Sequence, residues 1–345
     1  MRNPFFFSFL ESLLRLIGQL SSFSFFAKFC TKLHDLDGRV HHNIHMSHPN
    51  APRITGTDLL MILIVTLSWG MNYPIMKYVV TYFPPVSFRA LTFMLGCLSL
   101  GAYVWHARES LFVPPHERWL TFKLSLGNMV LWHLGLVFGL TLLKSGRTAI
   151  IGYTMPVWAL LASVILYKAR FTWRTSLGVL LSLSATYFLA KEEMAHFAGQ
   201  PLGLAVTLGA AIAWGSGNAM MKHSKLSISS INLTFWMLCS GMVIFSLIAL
   251  VFERGAWRWP HLLEWLAVLY GGVVTFAISY VAWFRVARKL TPVTSGLSIM
   301  LVPVVGLMGG ALMLGESIAQ SDLYALGLIL LAMAVVLMPS RSASV

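Results

Sequence analysis

The sequence predicts an all-α integral membrane protein with ten transmembrane helices, arranged as two inverted five-helix repeats. Three observations predict this class: the composition, the spacing of the apolar stretches and an internal repeat. Of the 345 residues, 57% are hydrophobic before the 27 glycines are counted, whereas only 11% are charged. Because soluble domains contain about 25% charged residues, this chain could not cover a folded core of its length with a water-facing surface.

The positive charge does not indicate a nucleic-acid-binding protein. A formal net charge of +13 would favour that class only if the basic residues clustered on one exposed face. Instead, Lys and Arg fall in short groups between the apolar stretches, which is typical of membrane proteins. We therefore expect a lipid bilayer, and no nucleic acid, as a partner. Cys30, Cys97 and Cys239 have no metal-ligand spacing and indicate no disulfide framework.

Ten stretches are long and apolar enough to cross a hydrocarbon core, which requires about 20 residues per helix. The connections between them are short and carry prolines or charges, so no soluble domain fits between the spans. The predicted spans cover residues 57–80, 85–106, 118–142, 147–167, 172–190, 201–222, 230–252, 262–284, 292–314 and 321–339.

The distribution of Lys and Arg predicts the orientation. Ten spans place both chain ends on the same side of the membrane. If that side is cytoplasmic, 18 Lys and Arg residues lie inside and six lie outside, and Arg89 falls within a span. Because positive residues accumulate on the cytoplasmic side, we expect both termini to be cytoplasmic.

Residues 1–56 form a tail ahead of the first span. The apolar residues between positions 10 and 17 share one helical face, which is typical of an interfacial amphipathic helix. No small-residue cleavage site follows them, and this disfavours a signal peptide. Met46 opens a short polar leader directly before the first span, as a translation start would. We expect residues 1–45 to be dispensable or to precede the true start.

An internal repeat is visible when the chain is aligned with itself. At an offset of 145 residues, residues 69–77 align with residues 214–222, and four of the nine positions are identical. At an offset of 147, residues 148–157 align with residues 295–304. Duplication of one unit explains both matches.

Each copy of the repeat contains five predicted spans, over residues 57–190 and 201–339. Because five is odd, the second copy enters the membrane from the opposite side. The copies would then be related by a pseudo-twofold axis in the membrane plane. Inverted repeats with a binding site at their interface are a recurrent transporter design.

Five motifs recur in a fixed order along the spans: Trp-Gly-x-Asn from Trp69, Phe88-Arg89-Ala90, Thr148 to Pro156-Val157, residues 280–285, and Pro303 followed by Gly315-Glu316. In this order they resemble the EamA-like family of the drug/metabolite transporter superfamily, over residues 57–339. The resemblance implies a ten-helix carrier of the cell inner membrane with a central cavity, which moves small metabolites or amino acids, often outward. One departure from the family pattern is that the fourth span ends without the Gly-Glu of the ninth.

Polar residues inside apolar spans are costly and are therefore candidates for function. Asn72, next to a helix-breaking Pro74, would present an amide, and Asn218 mirrors it in the other half. Arg89 could bind a substrate carboxylate through its guanidinium fork. A histidine such as His133 can titrate near neutral pH or form hydrogen bonds while neutral. Aromatic residues, including Trp132, could line an apolar cavity. The candidate substrate-binding residues are Trp69, Asn72, Tyr73, Arg89, His133, Tyr153, Trp158, Trp214, Asn218, Tyr280 and Trp283.

Each of these assignments has a structural alternative. The two amides could only bond helix to helix. Arg89 could extend along the span to the membrane surface, where lipid phosphates or carbonyls would bind it. His133 could be a neutral structural histidine, and the aromatic residues could face lipid or form interfacial belts.

The sequence favours an alternating-access transporter, with efflux as the expected direction and an anionic or zwitterionic small molecule as substrate. No HExxH, Gly-x-Ser-x-Gly or phosphate-binding glycine loop occurs, so we expect no enzyme, cofactor or metal site. All twelve acids lie in the tail, in loops or about one turn from a span end, so no buried carboxylate is expected to couple transport to protons or sodium. A channel and a non-transporting scaffold are the alternatives, and a homodimer is a compatible assembly.

Overall fold

The computed structural model describes residues 55–195, 200–289 and 299–337. Regular structure within these ranges is entirely helical, which confirms the predicted all-α class. Residues 1–54 of the tail, including the predicted dispensable residues 1–45, and the predicted beginning of the ninth span, residues 292–298, lie outside the described residues. The ten helical segments are α1 (Gly56–Tyr82), α2 (Pro85–His106), α3 (Pro115–Leu142), α4 (Ser145–Tyr167), α5 (Trp173–Ala195), α6 (Pro201–His223), α7 (Ser230–Phe252), α8 (residues 262–289), α9 (Val302–Leu314) and α10 (Gln320–Leu337).

Seven of these segments are long and apolar enough to cross a membrane: α1 to α4, α6, α7 and the Leu262–Trp283 part of α8. The α9 helix and the Gln320–Val336 part of α10 are also apolar but shorter. The chain is therefore a multi-pass integral membrane protein.

Two segments contain a π-helical stretch. In α3, the stretch Leu126–Leu131 separates α-helices Pro115–Ser125 and Trp132–Leu142. In α8, the stretch Tyr270–Ile278 separates Leu262–Leu269 from Ser279–Lys289. The wider turn of a π-helix changes the direction of the side chains that follow, and such interruptions are frequent at functional sites.

Two prolines lie in the first turn of a helix. The predicted span 147–167 corresponds to α4, which consists of Ser145–Gly152 and Met155–Tyr167, with Pro156 in the first turn of the second part. Likewise, Pro303 lies in the first turn of α9. Proline suits a first turn because its missing N–H has no partner there.

Helix α1 runs unbroken from Gly56 to Tyr82, so Pro74 does not end it. The proline removes the intrahelical hydrogen bond to the carbonyl of Gly70. Packing of α9 against this turn holds the helix together: a Cβ atom at Gly70 would lie 2.5 Å from Val305 of α9. Tertiary contact therefore outweighs the local cost of the proline.

Several helix contacts of one half have a counterpart in the other half. Helix α1 packs against α8 and α9, and α6 packs in the same way against α3 and α4. The contact between α2 and α8 corresponds to the contact between α7 and α3 in the exchanged halves. Three other contacts each join a helix to its equivalent in the other half: α2 with α7, α4 with α9 and α5 with α10. The helices that approach the centre are therefore drawn from both halves.

At one end of the bundle, acidic side chains form hydrogen bonds between the two halves. The Glu253 carboxylate accepts hydrogen bonds from the backbone N–H groups of Val86 (2.9 Å) and Ser87 (2.6 Å) at the start of α2. The Glu316 carboxylate accepts from the N–H groups of Ser145 (2.8 Å) and Gly146 (3.3 Å) at the start of α4. Each carboxylate satisfies N–H groups that have no partner within their own helix.

A buried ion pair strengthens the same end. The Arg147 Nε atom of α4 lies 2.7 Å from Asp322 Oδ1 of α10, and the two side chains are 4% and 1% exposed. The guanidinium also pairs with Glu192 of α5. Arg147 therefore joins helices of both halves, through a buried carboxylate on α10 and a partly exposed one on α5.

Candidate functional site

A small cavity lies where the two halves meet. Its volume is about 60 Å³. Helices α1, α3 and α4 of the first half and α6 and α8 of the second supply its walls. None of the described residues that line it is acidic. The lining residues are Trp69, Asn72, Tyr73, Trp132, His133, Leu136, Tyr153, Met155, Trp214, Thr275, Phe276 and Tyr280.

Aromatic rings from both halves form most of the wall. The ring centroids of Trp69 and Tyr280 are 5.6 Å apart, and those of Trp132 and Trp214 are 5.1 Å apart. Trp69 also donates a hydrogen bond from Nε1 to the carbonyl of Thr275, in the π-helical part of α8 (3.4 Å). Such walls bind apolar groups and, through the faces of their rings, cations.

His133 is a polar side chain of the wall and is 5% exposed. Neither of its ring nitrogens has a hydrogen-bond partner among the described residues. Its ring packs edge-on against Phe93 (5.2 Å) and Phe276 (5.3 Å). Because a buried polar group without a partner costs about 1–3 kcal/mol, His133 is available to a solute or a water molecule in the cavity.

Arg89 lies behind this wall and is completely buried. Its Nη2 donates to the sulfur of Met76 and its Nη1 to the hydroxyl of Thr92 (3.5 Å), which are weak partners for a cation. Its Nε has no partner among the described residues. Arg89 therefore does not extend to the membrane surface, which was the alternative expectation.

No carboxylate compensates the charge of Arg89 within the described part of the chain. The guanidinium lies over the ring of Phe276, which lines the cavity, at 5.5 Å from the ring centroid. An isolated buried charge costs several kcal/mol. A cation kept there, next to a cavity, is suited to binding an anionic group.

The structure brings seven of the eleven predicted site residues together in the lining: Trp69, Asn72, Tyr73, His133, Tyr153, Trp214 and Tyr280. The other four lie outside it. Arg89 adjoins the wall, and Trp283 packs against Trp69 at 5.9 Å. Trp158 donates a hydrogen bond from Nε1 to the Thr154 hydroxyl (2.9 Å), next to the break in α4.

The two asparagines that the sequence pairs differ in position. Asn72 is 8% exposed, lines the cavity and donates from Nδ2 to the sulfur of Met76 (3.0 Å). Asn218 is half-buried and does not belong to the lining. It follows the lining residue Trp214 by four positions, so it lies about one turn further along α6.

Sequence reasoning missed two polar residues, Asn128 and Thr275. Both are buried, both lie in the π-helical stretches, and they correspond at the 147-residue offset. The amide of Asn128 and the hydroxyl oxygen of Thr275 have no partner among the described residues. The rule that singles out polar residues in apolar spans would have found them. Only the structure shows that Thr275 lines the cavity and that Asn128 faces Gly217 of α6.

Comparisons with known proteins agree with this architecture. The model of the EamA-like transporter family matches residues 57–191 and 201–338. The uncharacterized transporter YoaV of Bacillus subtilis (strain 168) is 27% identical over 265 residues, covering 75% of this chain and 89% of that protein. A probable amino-acid metabolite efflux pump of Escherichia coli (strain K12) is 23% identical over 270 residues, covering 75% and 87%.

A crystal structure shares the fold. It superposes with a TM-score of 0.58 at 19% sequence identity, and the match covers 81% of this chain and 97% of the other.

Proposed function

The chain belongs to the EamA-like transporter family, and on this premise we propose that it exports small metabolites bearing a carboxylate, such as amino acids, across the cell inner membrane by alternating access. In this proposal ten helices span the membrane as two inverted repeats, with both termini cytoplasmic. The excess of Lys and Arg on the predicted inner side supports the orientation. The helix contacts that correspond between the halves support the repeats.

The observation that carries the proposed substrate class is Arg89, a buried cation without a carboxylate partner in the described part of the chain. A carboxylate entering the cavity would supply the missing charge and accept hydrogen bonds from the guanidinium. The aromatic faces of Trp69 and Trp214 could hold an ammonium or an apolar side chain at the opposite end of the solute. With no acidic lining residue, a purely cationic solute would have no countercharge.

The size of the cavity supports alternating access rather than a channel. Pockets for small molecules usually have volumes of about 300–1,000 Å³, and this cavity has about 60 Å³. A solute can therefore enter only if the walls move apart. Because both halves supply the walls, that movement is a displacement of one half relative to the other, as in other inverted-repeat carriers.

The direct test is solute flux in proteoliposomes that contain the purified full-length protein. We expect counterflow of a radiolabelled amino acid: external label should accumulate transiently when the vesicles are preloaded with the unlabelled compound. A scaffold protein would give no flux, and a channel would give flux without counterflow. Either result, obtained with a panel of amino acids and other carboxylates, would contradict the proposal.

The two asparagines should respond differently to substitution. We expect Asn72→Leu to reduce flux strongly, because it removes an amide from the cavity wall. Asn218→Leu, the matched change in the other half, should retain most of the flux because Asn218 lies outside the lining. Flux should be measured per molecule of folded protein in the vesicles. Equal effects of the two substitutions would mean that Asn72 serves packing and not binding.

His133 is the candidate for proton coupling. All described acids lie near helix ends or in connections, so no carboxylate is placed near the cavity. Any accumulation driven by an imposed pH gradient should therefore disappear in His133→Gln, while counterflow without a gradient persists. The measurement compares solute accumulation by the parent protein and by His133→Gln, each in its own vesicles of the same lipid composition. Gradient-driven accumulation that survives the substitution would show that another group carries the proton.

A further inference from the structure

Helix α3 carries a row of buried polar side chains along one face, from its first turn to the central cavity. Residues spaced by three or four positions share a face of an α-helix. Between Asn128 and His133 the spacing is five, and the π-helical stretch Leu126–Leu131, whose hydrogen bonds join residues five apart, keeps them on the same side. The members of this polar row, each at most 5% exposed, are Glu117, Thr121, Ser125, Asn128 and His133.

Most members of the polar row have hydrogen-bonding atoms that no group in the described part of the chain satisfies. They are Glu117 Oε2, Thr121 Oγ1, both amide atoms of Asn128 and both ring nitrogens of His133. Eleven buried side-chain atoms lack a partner among the residues that the structure describes, and these six belong to one helix. Buried polar groups are almost always paired, and ordered water supplies the partner where the protein does not. Water molecules are therefore the expected partners along the row.

The spacing of the polar row suits a chain of water molecules. At a rise of about 1.5 Å per residue, neighbouring members lie about 4–8 Å apart along the helix axis. One or two water molecules, with hydrogen bonds of about 2.8 Å, span such a gap. Gly217 of the facing helix α6 leaves room in the middle of the row, because a Cβ atom there would lie 2.7 Å from Cγ of Asn128.

Both ends of the polar row meet open space. His133 lines the central cavity. Near the other end, Thr121 lines a separate cavity of about 380 Å³ between α3, α7 and the connection before α3. Glu117 adjoins the surface, since its Oε1 lies 3.7 Å from Nε2 of His116, whose side chain is 79% exposed. The Lys and Arg distribution predicts that this end of α3 is cytoplasmic.

We propose that the polar row holds a chain of water molecules through which protons pass between His133 and the cytoplasm, with Glu117 at its mouth. Each water molecule accepts a proton from one neighbour and gives another to the next. A proton that leaves the His133 ring therefore appears on Glu117 and then on water outside, and no bond between heavy atoms changes. The amide of Asn128 does not ionise, so its role is to hold the water molecules in line.

The charged group next to the cavity end of the row is Arg89 of α2. The Arg89 guanidinium and the His133 ring lie against the same ring, Phe276, at 5.5 Å and 5.3 Å from its centroid. A proton on His133 would therefore lie near the cation that binds the solute carboxylate in the proposed function. The other titratable side chains that line the cavity are Tyr73 of α1, Tyr153 of α4 and Tyr280 of α8.

The groups around the cytoplasmic end leave Glu117 as the proton acceptor of the row. Its Oε1 accepts a hydrogen bond from the N–H of Ser227, in the connection between α6 and α7 (2.9 Å). The neighbouring Arg118 donates from Nε to the carbonyl of Val113 (3.2 Å). Glu117 lies near the end of its helix, as the sequence predicts for every acid. It therefore passes protons on, whereas His133 binds the proton that meets the solute.

The coupling of this path to transport rests on the proposed function. A solute can be exported against its gradient if protons enter the cavity from outside, bind His133 and leave to the cytoplasm along the polar row. Exchange of labelled for unlabelled solute needs no net proton movement. Counterflow and gradient-driven accumulation therefore separate transport itself from proton transfer.

The test measures both activities of the purified full-length protein in proteoliposomes, with and without an imposed pH gradient. We expect the gradient to drive accumulation of radiolabelled amino acid by the parent. Glu117→Gln and Asn128→Leu should abolish this accumulation and retain counterflow, since glutamine can still accept from the N–H of Ser227 but cannot ionise. Asn128→Ser keeps a group that binds water and should retain most of the accumulation. Glu109→Gln, the matched change of an exposed acid before α3, should behave like the parent.

A second measurement detects the water directly. X-ray irradiation converts bound water into hydroxyl radicals, which oxidise methionines next to them. Met129 follows Asn128 and is completely buried, as is Met333 of α10. Mass spectrometry should find Met129 oxidised in the parent and much less so in Asn128→Leu. Met333, the control, should stay unoxidised in both proteins.

Three results would overturn the proposal. The first is gradient-driven accumulation at the parental level in both Glu117→Gln and Asn128→Leu. The second is a parent that shows counterflow but no response to the pH gradient, which would leave the transport function standing. The third is a Met129 that stays unoxidised. A parent without any flux would contradict the proposed function instead, and the oxidation of Met129 would then decide whether the row holds water.

Discussion

Replacing Arg89 with methionine should remove most carboxylate flux while leaving the protein at least as stable as the parent. Methionine fills a similar volume, and it removes a buried charge that has no carboxylate partner in the described part of the chain. Hydrogen bonds to charged groups contribute about 1.5–3 kcal/mol, so loss of the contact to a solute carboxylate corresponds to about a 10- to 150-fold loss of flux at low concentration. Counterflow and thermal unfolding of the same preparation measure the two effects.

Two further variants separate the effect of the Arg89 charge from that of its planar fork and provide a control. Arg89→Lys keeps the charge but lacks the planar fork, so it should retain part of the flux. Arg170→Met removes an exposed arginine from the connection after α4 and should leave both flux and stability unchanged. An Arg89→Met protein that unfolds more easily and transports normally would make Arg89 a structural residue and would remove the main support for a carboxylate substrate.

Replacing Arg147 with methionine should destabilise the protein by about 3–5 kcal/mol, because breaking a buried pair leaves an uncompensated charge. The group left behind is Asp322, which is 1% exposed. The double variant Arg147→Met/Asp322→Asn should recover much of this loss, since the amide is neutral and its oxygen can still accept from the N–H of Ala319, as the carboxylate does at 2.8 Å. Denaturant unfolding in detergent measures both differences.

The comparison of single and double variants is the internal control for Arg147. If the two side chains stabilise the protein through their mutual interaction, the effects of the two substitutions on the free energy of unfolding are far from additive. A single variant as stable as the parent would show that Glu192 and solvent compensate for the missing guanidinium. An equally unstable double variant would assign the loss to packing of the arginine side chain instead.

Arg89 and Arg147 show why a buried charge cannot be interpreted from sequence alone. Both are arginines within about one turn of the start of a predicted or observed helix, and both are almost completely buried. Arg147 pairs with two carboxylates, whereas Arg89 contacts a thioether, a hydroxyl and aromatic rings. We therefore expect the first to govern stability and the second to govern binding.

The sequence by itself determined the all-helical membrane class and the family. Both follow from properties that are local along the chain: apolar stretches about as long as a bilayer is thick, short charged connections, and motifs repeated at a nearly constant offset. Local properties also singled out Trp69, Asn72, Tyr73 and His133, because polar and aromatic side chains within spans are conspicuous. Their role in binding stays a prediction.

Only the tertiary structure decided which of these residues share a cavity. The direction of a side chain depends on the rotation of its helix, and the π-helical stretches in α3 and α8 change that rotation without a recognisable sequence signal. Packing of α9 keeps α1 continuous through Pro74, against the local preference of proline. Such long-range contacts are set by side-chain packing between helices distant in sequence, which periodicity and composition do not encode.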